Sequence, residues 1–161
     1  VGGSHGRLLA ALLQANPAAR GVLFDRPNVI AEAREVMRGF GLNGRVELAE
    51  GDFFEAAPPG ADVYLLKWIL HDWDDAQSLT ILKNIHRVAT SDSKLLIVER
   101  LLPSAVEPSP VHLMDLHMLV LTGGRERSRE QFAALLSSAG YRLERIMPLP
   151  HSLNLIEAVR F

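Results

Sequence analysis

Apolar and polar positions alternate along the chain in two periods, and the switches between them mark out its elements. Arg7 to Gln14 is apolar at most positions and predicts a short helix that stops before Asn16-Pro17. Gly21 to Phe24 predicts a strand ending in Asp25. Pro27 to Phe40 predicts a helix with Val29, Ile30, Ala33, Val36 and Met37 on one side and Met37 and Phe40 in the core. Arg45 to Glu50 alternates as a strand does, and Gly51-Asp52-Phe53-Phe54 follows at its carboxyl end. Asp62 to Leu66 is a short apolar run of strand type. Asp74 with Gln77 then forms a capping-box signature before an amphipathic helix over Asp75 to Ala89, with Leu79, Leu82 and Ile85 facing a sheet and His86 in solvent. Lys94 to Val98 is a strand ending in Glu99. Val111 to Leu121 is apolar and methionine-containing, and predicts a helix that lines a pocket or packs in the core. Ser128 with Gln131 opens a further helix that stops at Gly140. Tyr141 to Met147 and Leu153 to Phe161 predict a final antiparallel strand pair.

Strands alternate with helices almost throughout. This predicts an α/β domain with a mostly parallel sheet covered on both faces and an antiparallel last pair. The opening Val1-Gly2-Gly3-Ser4-His5-Gly6 reads as a glycine turn of the kind that follows a strand. The expectation is therefore a fragment whose first strand is missing, with residues 1–161 forming one domain.

Composition narrows the function classes. The 161 residues are 48% hydrophobic and 22% charged, with a net charge of -2, which gives no argument for nucleic acid or an anionic membrane. There is no cysteine, so disulfides, thiolate metal sites and cysteine nucleophiles are excluded. No apolar run is long enough to span a bilayer.

In an open α/β sheet, ligands bind outside the carboxyl ends of the strands, and the polar residues of this chain gather at those predicted ends. A glycine loop before a helix lets backbone approach a ligand. Asp25 lies roughly 20 residues further on, where dinucleotide-type folds place the acid that accepts from ribose hydroxyls. Its bland alternative is a strand-end or capping carboxylate. Asp52 could accept from a purine amino group while Phe53 covers the ring; the alternative is a tight turn with two core phenylalanines. The segment Lys67 to Asp75, K-W-I-L-H-D-W-D-D, combines a base, two tryptophans and three carboxylates. His71 is a candidate general base, because its pKa lies near working pH. A carboxylate such as Glu99 or Glu126 could orient its imidazole. The alternatives are a turn histidine that caps a helix and a surface glutamate in a charged run. Asp72, Asp74 and Asp75 could hold a metal, although the capping role of Asp74 already accounts for one of them.

At V-G-G-S-H-G, F-D-R-P-N-V, G-D-F-F, L-K-W-I-L-H-D-W-D-D and G-G-R-E-R-S the chain resembles the S-adenosylmethionine-dependent O-methyltransferases of the plant caffeate/flavonoid type and their bacterial polyketide-tailoring relatives. The resemblance covers essentially the whole chain and corresponds to the C-terminal catalytic domain. It implies a Rossmann-like class I methyltransferase sheet. It further implies methyl transfer from S-adenosylmethionine, without a metal, to a hydroxyl of a small-molecule acceptor, with S-adenosylhomocysteine as product. By the same resemblance Gly2, Gly3, Gly6, Asp25, Asp52, Phe53, Lys67 and Trp73 contact the cofactor. His71 is the catalytic base, flanked by Glu99 and Glu126, and Asp72 and Met118 lie toward the substrate. The family pattern carries a further glycine where this loop has Ser4. An N-terminal dimerisation domain, common in the family, is absent from these residues, and the resemblance implies a homodimer in the full-length protein and a cytoplasmic location. Two rival readings are a relative that binds S-adenosylmethionine but supports another tailoring reaction such as hydroxylation, and a nicotinamide dehydrogenase. The second leaves H-D-W-D-D unexplained.

Overall fold

The computed structural model describes residues 1–42, 44–103 and 108–161. They divide into two compact units, Val1–Pro59 and Gly60–Phe161. Among the described residues, no helix is long and apolar enough to cross a membrane.

In the first unit, helix α1 (Arg7–Ala15) precedes strand β1 (Gly21–Asp25), helix α2 (Pro27–Arg38) and strand β2 (Val46–Glu50). β1 and β2 pair in parallel, from Gly21 opposite Val46 to Asp25 opposite Glu50. Extended Arg26 places Pro27 in the first turn of α2, where its missing amide hydrogen costs no helix bond. Ile30, Ala33 and Met37 recur at helical spacing and are buried with Ala10, Leu13, Leu23 and Leu42. Phe40, two residues past the end of α2, is partly buried and packs against this cluster.

In the second unit, strand β3 (Val63–Lys67) leads through a short 3-10 turn (Leu70–Asp72) into helix α3 (Asp75–Val88) and strand β4 (Lys94–Glu99). Helices α4 (Pro110–Leu121) and α5 (Arg129–Ser138) and strands β5 (Tyr141–Pro148) and β6 (Asn154–Arg160) follow. The sheet order is β3-β4-β6-β5. β3 and β4 are parallel, whereas β6 is antiparallel to both β4 and β5. β4 is paired on both sides, and its Leu95 and Ile97 are buried. Both predicted capping boxes form: Asp74 accepts from the Gln77 amide at 2.8 Å, and Ser128 from the Gln131 amide at 3.3 Å. Gly140, at φ 85°, ends α5 in the left-handed region that suits glycine.

Among the described residues the hydrogen-bonded strands form one sheet in each unit. Two expectations change. α4 does not pack as a core helix: only its Val111 and Met118 are buried, and Val120 is 83% exposed. A segment apolar on every side carries no periodic signal for which side is covered. His86 is half-buried and does not simply face solvent; its ring lies edge-on to Tyr141 at 5.2 Å and beside Gly140. Burial, followed by the charge of Arg160, lowers its pKa.

Candidate active site

The second unit builds a compact acid–base cluster. The 3-10 turn after β3 presents His71, whose side chain is 11% exposed. Its Nδ1 lies 3.4 Å from Glu126 Oε1 and 3.7 Å from Glu99 Oε2. Both carboxylates therefore approach the same ring nitrogen. The tautomer that matches carries its hydrogen on Nδ1 and leaves the Nε2 lone pair to accept a proton. Asp72 Oδ1 lies 3.6 Å from Nε2, beyond hydrogen-bonding distance.

Each acid is held differently. Glu99 ends β4 with its side chain at 0% exposure, and its Oε1 accepts from the amides of Ile69 and Leu70 at 3.0 and 3.1 Å. It thereby fixes the start of the turn that carries His71. Glu126 is 1% exposed and is set by its backbone: its amide donates to Asp115 Oδ1 at 2.8 Å. The Arg125 amide donates to the His71 carbonyl at 2.9 Å. Gly124 is needed for that approach, since a Cβ there would sit 2.0 Å from the His71 carbonyl oxygen. Sequence reasoning missed Asp115 and Gly124. The paired glycines before R-E-R were the available signal for Gly124; for Asp115 there was none, because its partner is not local.

The electrostatics follow from the geometry. Burial pulls the His71 pKa down, but the hydrogen bond that His71 donates to Glu126 and the charges of Glu99, Glu126 and Asp72 outweigh it, so the pKa stands above its ordinary value. Burial raises Glu99 to about 7, against the pull of His71 and with the push of Glu126. Burial likewise raises Asp72, opposed by His71 and assisted by Glu126. One donor atom each from His71, Glu99 and Glu126 lies within 4.8 Å of the others, a set that could hold a cation. The proposed aspartate set is spent otherwise: Asp74 caps α3, and Asp75 pairs with Arg127 at 2.8 Å. Lys67 closes β3 with its Nζ 4.2 Å from the ring centre of Trp68, which sits at φ 55°. Trp73 is half-buried just after the turn. Met118, on α4, is buried.

The first unit holds the other candidate residues. Asp25 Oδ2 accepts from the Ser4 amide and Oδ1 from the Arg26 amide, both at 2.8 Å. Gly2, Ser4 and Gly6 all have positive φ. Gly6 is glycine for packing as well as for φ, since a Cβ would meet Met37 at 2.4 Å and Leu23 at 2.9 Å. A Cβ on Gly3 would also meet Leu23, at 2.4 Å. At both positions an added Cβ would run into this unit's own core side chains. Asp52 is exposed and accepts from the Phe54 amide at 2.8 Å. Phe53 and Phe54 meet edge-on at 4.9 Å and are half-buried, not core. Asp25 and Asp52 stand at the carboxyl ends of adjacent parallel strands, and carboxylates so placed fit the ribose and amino groups of an adenosine.

The profile of the O-methyltransferase domain family matches residues 1–142. The chain is 43% identical over 158 residues to a phenazine O-methyltransferase, PhzM, of Lysobacter antibioticus, covering 98% of this chain and 46% of that protein. It is 49% identical over 148 residues to a mitomycin biosynthesis 6-O-methyltransferase of Streptomyces lavendulae, covering 92% and 42%. The crystal structure of NcsB1, an O-methyltransferase from neocarzinostatin biosynthesis in complex with S-adenosylmethionine and 2-hydroxy-5-methyl naphthoic acid, superposes with a TM-score of 0.90 at 32% identity, covering 99% of this chain and 47% of that one. The chain thus spans less than half the length of these relatives. With a matching profile over most of its residues and this identity across nearly all of them, the chain belongs to the O-methyltransferase domain family.

Proposed function

We propose that this chain is the catalytic domain of an S-adenosylmethionine-dependent O-methyltransferase that methylates a phenolic hydroxyl of a small secondary-metabolite-like acceptor, with His71 as general base. The observation that carries the proposal is the His71 Nδ1 contact with buried Glu126 and Glu99, which leaves Nε2 as the proton acceptor. Bound S-adenosylmethionine supplies an electrophilic sulfonium methyl, which the acceptor oxygen takes, leaving S-adenosylhomocysteine. The chain's own work is to accept the hydroxyl proton at Nε2 and to stabilise the resulting imidazolium through Glu126. Asp25 accepts from the ribose hydroxyls, and Asp52 and Phe53 hold the adenine. Gly2, Gly3 and Gly6, with Lys67 and Trp73, complete the cofactor contacts, and Asp72 and Met118 face the acceptor.

We further propose that the domain works in a longer, cytoplasmic protein whose N-terminal helical domain pairs two copies. The resemblance in the motifs and the length of the relatives support this. Light scattering on the full-length protein tests it, and a monomer would refute it. The enzymatic proposal is tested by incubating that protein with S-adenosylmethionine carrying a labelled methyl and a panel of phenols. Label is expected on an acceptor oxygen. Tight binding of S-adenosylhomocysteine with no methylation across acceptors that bind would favour a non-methylating relative.

A further inference from the structure

Among the described residues Arg127 is the largest fully buried side chain, at 1% exposure, and the sequence marks it only as one cation in a charged turn. Its guanidinium donates in four directions. Nη1 reaches the Leu70 carbonyl at 2.7 Å, and Nη2 reaches the Trp73 carbonyl at 2.9 Å. Nη2 also reaches Ser78 Oγ at 3.1 Å, and Nε reaches Asp75 Oδ1 at 2.9 Å. Leu70 and Trp73 bracket the turn that carries His71. One rigid fork therefore grips both ends of that turn and ties it to the first turn of α3.

The neighbouring residues extend the pattern. The Arg125 amide holds the His71 carbonyl, Glu126 meets the His71 ring, and Arg127 holds the turn on either side. The Arg127 carbonyl accepts from the Leu102 amide at 2.9 Å, which anchors the segment. The histidine and its acid partner thus derive their separation from the same short segment.

We propose that Arg127 is a positioning residue, fixing the His71 turn at the distance from Glu126 that the proton transfer requires. The proposal rests on His71 being the base. A buried arginine could instead serve only to satisfy carbonyls, and that role would not reach the imidazole. A displacement of about 1 Å at a reacting group can cost roughly a hundredfold in rate, so a change in the Arg127 fork is expected at His71.

The test uses full-length protein with labelled histidine. The His71 resonance, identified by its loss in His71→Ala, is titrated in the presence of S-adenosylhomocysteine. Turnover is measured with a phenol that the unaltered protein methylates, per S-adenosylhomocysteine-binding molecule. Arg127→Met is expected to move the His71 midpoint toward that of an ordinary histidine and to lower kcat roughly a hundredfold with little change in KM. Arg127→Lys, which keeps the charge but not the fork, should fall between. If Arg127→Met does not bind S-adenosylhomocysteine, Arg127→Lys decides alone. An unchanged midpoint and unchanged kcat in the folded Arg127→Lys protein overturn the proposal. The base assignment fails separately, if His71→Ala keeps its turnover; the His71 midpoint still reports whether Arg127 positions the ring.

Discussion

The acids of the first unit and those of the second are held by opposite means. Asp25 and Asp52 accept from amides close to their own strand ends, and Asp52 stays exposed. Such carboxylates keep water as an alternative partner and suit a ligand that comes and goes. Glu99 and Glu126 are removed from water, and each retains a buried Oε2 with no hydrogen-bond partner among the described residues. Burying charge without full pairing costs free energy, and it acquires a use where it shifts the proton affinity of a neighbour. Carboxylates of one chain can thus serve as polar handles or as electrostatic parts, depending on what surrounds them.

The largest expected break is at His71. His71→Ala should lower turnover by roughly two to four orders of magnitude, the usual scale for loss of a general base. Affinity for S-adenosylhomocysteine, measured by calorimetry, should hardly change. A near-normal rate per donor-binding molecule would make His71 a structural turn residue.

The two glutamates should then separate. Glu126→Gln removes the charge nearest Nδ1 and should cost roughly ten- to a hundredfold in kcat, below the full loss of the base. Glu99→Gln should cost only a few-fold, because an amide oxygen can still accept from Ile69 and Leu70, and burial already favours a protonated Glu99. Equal losses in paired kinetic measurements would contradict this asymmetry.

Asp25→Asn should act on the other side of the comparison. Weakening a charge-assisted hydrogen bond should raise the dissociation constant for S-adenosylhomocysteine about tenfold, with kcat at saturating donor nearly intact. A loss confined to kcat would move Asp25 out of the donor site.

The gentlest effect is on pH dependence. The raised His71 pKa places the rising limb of the rate above the ordinary histidine value of 6.5. The same groups tilt stability. Glu99 rises from 4.5 to about 7, so the folded state binds its proton more tightly than the unfolded state does. Its contribution is fully present below 4.5 and is lost as pH rises through about 7. His71 acts in the same sense, its contribution being lost as pH rises from 6.5 through its raised folded value. Urea unfolding at a series of pH values should show stability declining across this window, and Glu99→Gln should flatten the lower part of it.

What the sequence determined alone is local. Asp74 with Gln77 and Ser128 with Gln131 cap helices because each pair closes its bonds within three residues, and Gly140 stops α5 through its own φ. The strand ends at Asp25, Lys67 and Glu99 were likewise legible, since each apolar run stops there. His71, Glu99 and Glu126 could be named from motifs, but their distances depend on segments far apart in the chain. Tertiary structure alone decided that both acids meet Nδ1, that Asp115 sets the Glu126 amide and that Arg127 grips the His71 turn. It also decided that α4 leaves Val120 exposed while α5, with fewer apolar residues, buries Phe132, Leu135 and Leu136. Local bonding is written in neighbouring residues, whereas burial and charge pairing belong to whatever the fold places opposite, and no periodicity names the partner.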